Sequence, residues 1–308
     1  MFFNIILLII GFVALSKGAA LLVDGASAMA RKLNVPEIII GLTIVACGTS
    51  APEAAVSISS VIQGASGVGV GNILGSNVVN ILLILGVSAL ITNLYVQKNT
   101  VLYEIPFVAF ISVLLMFMGW QYGMVYRGSA LILCALFALF LTYLFVIAKN
   151  QKDDAPEIKN MSLIKMISFV LFGIVALVIS AKIIVYSAVN IAPALNISER
   201  VIGLTMIAFG TSLPELVTCI VAASKKHSDL VIGNIIGSNI FNILFVLGVT
   251  GLIKPIPFEH AFLTDAAWGI FATILLWIFV LHDRKLNWVK GLIFLLSYAV
   301  YIVWLVKS

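Results

Sequence analysis

Two short stretches hold most of the polar side chains that could do chemistry in an otherwise apolar chain. CGTSAPEAAV begins at Cys47 and FGTSLPELVT begins at Phe209, each within a run long enough to span a bilayer. Each contains a threonine, a serine, a proline and a glutamate. Because a carboxylate at membrane depth is energetically costly, it indicates a functional site. Carboxylates and hydroxyls together suit the binding of a hard cation.

Helical spacing places these groups on one face of each stretch. The positions are i, i+3, i+4 and i+7, namely Ala46, Thr49, Ser50 and Glu53 in the first and Ala208, Thr211, Ser212 and Glu215 in the second. Pro52 and Pro214 lack an N–H group and clash with the carbonyl four residues earlier, so a helix break is predicted at each. Carbonyls freed by a break can serve as ligands, and such backbone survives in a membrane only where it lines a cavity.

A second polar stripe follows each stretch. Its members lie four residues apart, as Asn72, Ser76 and Asn80 and again as Asn234, Ser238 and Asn242. Glycines with GxxxG spacing, which permits close helix approach, accompany both stripes at Gly71, Gly75, Gly233 and Gly237. Packed together, the four helices would enclose a cavity lined by oxygen atoms.

An oxygen-lined cavity selects hard cations. Calcium takes six to eight oxygen ligands, and sodium is also hard and needs fewer charges. The three cysteines form no CxxC or Cys/His pattern, so we expect neither disulfides nor a zinc site. One alternative is that Glu53 and Glu215 are protonated and only bond neighbouring helices. Packing between helices is a further alternative for the serines and asparagines, and above all for Asn72, Asn77, Asn234 and Asn239.

The elements that must position these groups are membrane spans. Of 308 residues, 62% are hydrophobic and 10% charged, whereas about a quarter are charged in soluble domains. We predict an all-α polytopic membrane protein, with the first span retained rather than removed as a signal peptide. The ten predicted spans are roughly 3–31, 35–62, 67–92, 99–119, 126–149, 163–194, 197–223, 228–253, 258–281 and 286–307.

The chain contains an internal repeat. Residues 41–91 align without a gap on residues 203–253, at a constant offset of 162, with 25 of 51 positions identical. A hydrophilic loop at 150–162 separates a first half, 1–149, from a second half, 163–308. Two similar halves of five spans each must have inverted topology, an arrangement typical of secondary transporters with a site at the repeat interface.

Basic residues predict the orientation. Loops after odd-numbered spans carry twelve Lys and Arg residues, whereas the other loops and the termini carry four. The excess marks the cytoplasmic side, so the central loop should be cytoplasmic and both termini extracytoplasmic. The net charge of +5 is attributed to this excess of Lys and Arg, which sets the orientation, rather than to an acidic partner. We expect the protein in the plasma (inner) membrane. Lys17 and Asp24 share one face of the first span, where they could pair or each reach its own interface.

The paired GTSAPE/GNILGSNVVN and GTSLPE/GNIIGSNIFN blocks closely resemble the α-repeats of sodium/calcium exchangers, in the cation/calcium antiporter superfamily. The resemblance implies counter-transport of Na⁺ and Ca²⁺ by alternating access, with long first and sixth helices sliding across the core. It implies a calcium site formed by the Glu53 and Glu215 side chains with the carbonyls of Thr49 and Thr211. The sodium ligands that it implies are the hydroxyls of Ser50, Ser76, Ser212 and Ser238 and carbonyls near Ala46 and Ala208, with Asn80 and Asn242 lining the centre.

One departure from the family concerns Asn242, because some microbial members have an aspartate at this position. Here both repeats have asparagine, so the cavity holds two carboxylates rather than three. The expected substrates are Ca²⁺ and Na⁺, with no cofactor, and the expected surroundings are membrane lipid, with no nucleic acid and no obligate protein partner.

Several other functions remain as alternatives. A Ca²⁺/H⁺ or K⁺-dependent exchanger of the same superfamily could use the same glutamates, although the hydroxyls of the two GTS sequences favour Na⁺. A cation channel is less consistent with inverted halves that carry one carboxylate each. An enzyme is not expected, because no nucleophile or cofactor motif accompanies the glutamates. The sequence also contains no P-loop motif for ATP, which favours transport driven by an ion gradient.

Overall fold

The computed structural model describes residues 2–150, 161–191 and 210–307, and these residues are mostly helical. The first half contains α1 (Phe2–Leu33), α2 (Glu37–Ile40), α3 (Ala46–Thr49), α4 (Ala51–Ile62), α5 (Ser66–Val78), α6 (Gly86–Ile91), α7 (Ile105–Tyr122) and α8 (Arg127–Asn150). The second half contains α9 (Leu163–Ile191), α10 (Leu213–Ser224), α11 (Ser228–Ile240), α12 (Leu247–Ile253), α13 (His260–Leu281) and α14 (Trp288–Lys307).

Four π-helical segments complete the spans in the described residues. They are π1 (Gly41–Val45) between α2 and α3, π2 (Val79–Leu85) between α5 and α6, π3 (Thr100–Glu104) before α7, and π4 (Phe241–Val246) between α11 and α12. Segments of this kind are frequent at functional sites, and three of the four lie in the repeated blocks.

The described helices confirm a multi-span membrane protein. Eight are long and apolar enough to cross a membrane, and α2–α3 with α4, bent by 49°, make a ninth when the bent pair is counted as one span. The predicted seventh span is represented by α10 alone, because residues 192–209 lie outside the described residues. The prediction of ten spans therefore stays a prediction at that position.

Burial separates central from peripheral spans. In the most apolar window of each span, 94% of residues are buried for Ser228–Ile253 and 78% for Ser66–Ile91, against 17% for Trp288–Leu305. The third and eighth spans, which carry the polar stripes, thus form the centre of the described structure. The outer spans expose Leu, Ile and Phe side chains where lipid would surround them.

The predicted helix break at Pro52 is confirmed. Ser50 leaves the helical conformation, with φ −82° and ψ 7°, and Pro52 lies in the first turn of α4. The equivalent turn occurs at Ser212, with φ −87° and ψ 4°, and Pro214 lies in the first turn of α10. A proline is tolerated in a first turn because the N–H group it lacks would have no helical partner there.

Glycines allow the second and eighth spans to touch through their backbones. A Cβ atom on Gly233 would lie 2.7 Å from the Ile38 carbonyl oxygen, and one on Gly237 would lie 2.6 Å from that of Leu42. The close approach predicted from this GxxxG pair is confirmed. For Gly71 and Gly75, the equivalent partner positions fall at 200–204, outside the described residues.

The long helices α1 and α9 pack closely along each other. A Cβ on Gly18 would lie 2.9 Å from Ala176 Cβ, and a Cβ on Gly173 would lie 2.7 Å from the Leu22 nitrogen. Gly11 and Gly25, each seven residues from Gly18 on α1, also face α9. The glycines therefore form one row on α1 along which the two backbones meet.

One ion pair and one histidine contact join the first two spans to the segment that follows α10. Asp24 pairs with Lys225, rather than with Lys17 as one sequence alternative had it. Glu37, at the start of α2, lies 2.9 Å from Nδ1 of His227. Both contacts link the first and second spans to the turn between α10 and α11.

Two short antiparallel β-ladders connect loops that are distant in sequence. β1 (Leu94–Tyr95) pairs with β4 (Lys285–Leu286), with Leu94 opposite Leu286. β2 (Met124–Val125) pairs with β3 (Ile256–Pro257), with Val125 opposite Ile256. Each ladder ties a loop at an end of the fourth span to a loop beside the eighth or tenth span.

Candidate cation site

Each serine of the two GTS sequences bonds the glutamate of the other repeat. The Ser50 hydroxyl donates to Oε1 of Glu215 at 2.7 Å, and the Ser212 hydroxyl donates to Oε1 of Glu53 at 3.1 Å. All four side chains are at most 2% exposed. The two carboxylates therefore lie in one buried region, each held by the opposite half of the chain.

The stripe serines complete the same cluster. Ser50 Oγ lies 2.9 Å from Ser238 Oγ, and Ser212 Oγ lies 3.2 Å from Ser76 Oγ. A hydroxyl has one proton, so a serine that donates to a glutamate accepts from its serine neighbour. The lone pairs that remain on these oxygens are available to a cation.

Asparagines of the stripes hold the threonines beside each break. The Thr49 hydroxyl donates to Asn234 Oδ1 at 3.0 Å, and the Thr211 hydroxyl donates to Asn72 Oδ1 at 3.1 Å. These contacts also cross between the repeats. They fix the turn in which the threonine carbonyls lie.

The two repeats differ at one pair of equivalent positions behind the stripe asparagines, Ser57 and Cys219. Asn72 Nδ2 donates to the Ser57 hydroxyl at 3.0 Å, whereas Asn234 Nδ2 donates to Sγ of Cys219 at 3.4 Å. Because sulfur is a weaker acceptor than a hydroxyl oxygen, the support behind Thr49 is weaker than that behind Thr211.

Asn80 and Asn242, the two central asparagines, each donate a hydrogen bond to an asparagine of the opposite repeat. Asn80 Nδ2 donates to Asn239 Oδ1 at 2.9 Å, and Asn242 Nδ2 donates to Asn77 Oδ1 at 3.3 Å. Asn80 and Asn242 lie one helical turn beyond Ser76 and Ser238 on the same stripes. They extend the polar cluster along the third and eighth spans.

Four buried acceptor oxygens in this cluster receive no hydrogen bond from the described residues. They are Oε2 of Glu53, Oε2 of Glu215, Oδ1 of Asn80 and Oδ1 of Asn242. A buried polar atom left without a partner costs about 1–3 kcal/mol, and more when it is charged. The two carboxyl groups also lie close enough to interact electrostatically. A cation bound between the two glutamates would partner their free oxygens and offset the repulsion between the carboxylates.

The ligand chemistry is that of a hard ion. Within the described residues, no group of three or more His, Cys, Asp or Glu side chains could hold a metal ion. The candidate ligands are instead two carboxylates, four serine hydroxyls, two amide oxygens and the carbonyls beside the breaks. Such a set suits Ca²⁺ or Na⁺ rather than a soft transition metal.

The cluster brings together ten of the twelve side chains that the sequence singled out. Ala46 is fully buried on the same face, and its carbonyl oxygen lies 3.4 Å from the Thr49 hydroxyl. Ala208 lies outside the described residues.

Sequence reasoning passed over two further carboxylates within the spans, Glu104 and Asp265. Glu104 is 4% exposed and accepts a 2.6 Å hydrogen bond from Tyr143, which is not one of the predicted site residues. Asp265 lies in α13, and one of its buried oxygens has no hydrogen-bond partner among the described residues. The same rule that selected Glu53, namely a carboxylate inside an apolar span, would have found both.

Comparison with known proteins agrees with these observations. The family model described as "Sodium/calcium exchanger protein" matches residues 3–146 and 165–307. The sodium/calcium exchanger MaX1 of Methanosarcina acetivorans is 32% identical over 97% of this chain and 97% of its own length. The inner membrane protein YrbG of Escherichia coli is 36% identical over 81% of this chain and 79% of its own. A solved structure of the sodium-calcium exchanger NCX_Mj, soaked with Na⁺ and Ca²⁺, superposes with a TM-score of 0.86 at 32% identity and covers 98% of both chains.

Proposed function

Because this chain belongs to the sodium/calcium exchanger family of cation/Ca²⁺ antiporters, we propose that it exchanges Na⁺ for Ca²⁺ across the membrane by alternating access. The observation that carries the proposal is the set of four buried acceptor oxygens on Glu53, Glu215, Asn80 and Asn242 that receive no hydrogen bond from residues 2–150, 161–191 or 210–307. They lie at the junction of the two repeats, where a secondary transporter binds its substrate. The ions are substrates, and the protein is a transporter rather than an enzyme.

Calcium takes the position between the two glutamates. Two carboxylates balance one Ca²⁺, and the carbonyls of Thr49 and Thr211 raise the number of oxygen ligands toward six. Sodium binds on either side of this position. Its ligands are the hydroxyls of Ser50, Ser76, Ser212 and Ser238 with carbonyls near Ala46 and Ala208, and Asn80 and Asn242 line the centre.

Competition for Glu53 and Glu215 couples the two ions. Either ion neutralises the carboxylates, but both cannot be fully bound at once. Without an ion, two bare carboxylates would have to pass a low-dielectric barrier, which is energetically unfavourable. If only the loaded forms cross between the inward and outward states, exchange is obligatory. Substantial Ca²⁺ flux without any counter-ion would contradict this coupling.

The proposed architecture is ten spans in two inverted five-span halves. The contact of Glu37 with His227 supports it. Glu37 lies at the start of the second span and His227 at the end of the seventh, so these two equivalent spans run in opposite directions. Conversely, a Cβ on Gly64, in the turn of the first repeat, would lie 4.0 Å from Nζ of Lys254, at the end of the second. The pairing of β2 with β3 places both strands on the same side of the membrane, so the chain must cross the membrane an even number of times between them. The fifth to eighth spans supply four crossings.

Sodium coupling is favoured over coupling to protons or potassium by the hydroxyl contacts. Ser50 and Ser212 each contact a glutamate and a stripe serine, so hydroxyl oxygens flank both carboxylates. A proton needs no such hydroxyl ligands. The surroundings of the glutamates therefore suit Na⁺ as the exchanged ion.

The decisive measurement is ⁴⁵Ca²⁺ uptake into proteoliposomes that contain the purified protein. Vesicles are preloaded with Na⁺, K⁺ or choline, and a separate set carries an imposed pH gradient. We expect uptake only where Na⁺ is inside. Uptake that ignores Na⁺ but follows the pH gradient, or that requires K⁺, would instead assign the protein to one of the related exchanger types.

A further inference from the structure

Two asparagines outside the proposed ligand set hold the amide nitrogens of the two that line the site. Asn80 Nδ2 donates to Asn239 Oδ1, and Asn242 Nδ2 donates to Asn77 Oδ1. In both pairs the donor and the acceptor belong to different repeats, 159 and 165 residues apart. Each lining asparagine is therefore oriented by the opposite half of the chain.

The planar amide group then determines where the carbonyl oxygen lies. An asparagine side chain has its NH₂ group and its carbonyl oxygen on one rigid plane, so a bond that holds the nitrogen also directs the oxygen. The carbonyl oxygens of Asn80 and Asn242 are buried, and no donor in the described part of the chain bonds them. Rotation of either amide by half a turn would exchange its oxygen for N–H groups, which repel a cation.

Asn77 and Asn239 are themselves confined. Asn239 Nδ2 donates to the backbone carbonyl of Asn77 at 3.3 Å, and the two side chains are 1% and 6% exposed, respectively. With Ser112 and Thr273 they border a cavity of about 10 Å³, which has room for no more than about one water molecule. Both amides are thus buried beside a cavity that could admit little more than a water molecule.

We propose that Asn77 and Asn239 are positioning residues, which keep the carbonyl oxygens of Asn80 and Asn242 directed at the transported cation and thereby set the balance between Na⁺ and Ca²⁺ binding. The inference rests on the proposed function, which places both ions at this site. Sodium depends more on these oxygens because a monovalent ion gains less from the two carboxylates than a divalent ion does. Neutral carbonyl ligands therefore contribute a larger share of the binding of Na⁺.

A double-mutant cycle on ion competition tests the proposal. Equilibrium ⁴⁵Ca²⁺ binding to the purified protein gives the Na⁺ concentration that displaces half of the bound Ca²⁺. We expect Asn239→Leu to raise that concentration roughly 5- to 30-fold, as loss of one well-directed polar contact would. Asn80→Ala should have a similar effect. The double variant should show no rise beyond that of Asn80→Ala, because Asn239 acts through Asn80.

Four further substitutions make the result specific. Asn77→Leu with Asn242→Ala forms the same cycle in the other half of the site. Ser112→Ala is the matched control, since Ser112 borders the same cavity but its hydroxyl donates to the Val108 carbonyl of its own helix. It should leave Na⁺ competition unchanged. Asn239→Ala replaces Asn239→Leu if the leucine variant does not fold.

The possible failures can be told apart. If Na⁺ displaces Ca²⁺ from the unmodified protein but the effects of Asn239→Leu and Asn80→Ala multiply, Asn239 acts only on packing and the inference is wrong. The inference is also wrong if Asn239→Leu leaves Na⁺ competition unchanged. If Na⁺ does not displace Ca²⁺ from the unmodified protein, the proposed function itself fails, and the inference fails with it.

Discussion

The Ser50 hydroxyl reaches Oε1 of Glu215 across the repeat interface at 2.7 Å, whereas the equivalent bond from Ser212 to Glu53 is 3.1 Å long. The shorter distance is that of a charge-assisted O–H···O contact. The two halves of the site thus share the same residues but hold their carboxylates with unequal strength.

This inequality predicts unequal effects of two otherwise equivalent substitutions. Ser50→Ala should lower Na⁺-dependent ⁴⁵Ca²⁺ uptake at limiting ion concentration by roughly 10- to 100-fold, since a hydrogen bond to a charged group contributes about 1.5–3 kcal/mol. Ser212→Ala should lower it less. Ser59→Ala is the control, because that exposed hydroxyl donates to the Val56 carbonyl of its own helix. Equal losses in the two variants would show that the difference in bond length has no consequence for transport.

Neutralising either glutamate should abolish Ca²⁺ transport. Glu53→Gln and Glu215→Gln keep the size of the side chain but remove half of the negative charge that faces a divalent ion. We expect ⁴⁵Ca²⁺ uptake to fall to the level of vesicles without protein. Glu259→Gln, which alters an exposed carboxylate before α13, should transport normally. Near-normal flux in either site variant would mean that calcium binds elsewhere.

The close contact of the second and eighth spans predicts a loss of stability on substitution of a glycine. Gly233→Ala would place a Cβ 2.7 Å from the Ile38 carbonyl oxygen, so the helices must separate. Overpacking of this kind costs about 1–3 kcal/mol, and the melting temperature in detergent, followed by tryptophan fluorescence, should fall. Gly269→Ala, in α13, is the control, since its Cβ would meet no described atom within 4 Å. Equal melting temperatures for the two variants would contradict this packing.

The predicted orientation can be tested with reporter fusions. Alkaline phosphatase needs disulfides that form outside the cytoplasm, whereas green fluorescent protein reports a cytoplasmic location. Fused after residue 307, the phosphatase should be active and the fluorescent protein dark. Inserted between residues 150 and 162, the two reporters should give the opposite result. Fluorescence from the C-terminal fusion would reverse the orientation.

Local physics made parts of the fold predictable from the sequence. The break before Pro52 follows from a missing N–H group and a steric clash, both of which act within one helical turn. The close approach of Gly233 to the second span follows from GxxxG spacing in a membrane helix. Both features depend on neighbours in sequence, and both are found in the structure.

Features that depend on distant partners could not be predicted in the same way. Helical spacing placed Ser50 on the same face as Glu53, but it could not show that Ser50 bonds Glu215, 165 residues away. Similarly, Lys17 lies on the same helix face as Asp24 and is a plausible partner for it, yet Asp24 pairs with Lys225, which follows α10. Side-chain spacing shows which groups share a helix face, and only the packing of helices shows what that face meets.

The crossed bonds at the centre have a consequence for the two halves as separate polypeptides. Residues 1–149 alone would contain Glu53 but not Ser212, the serine that bonds it, and the other half would lack Ser50 in the same way. Neither fragment can therefore bind an ion as the intact protein would. Two copies of a single half, inserted in opposite orientations, would restore the crossed serine–glutamate bonds, because both halves carry the same serine and glutamate at equivalent positions.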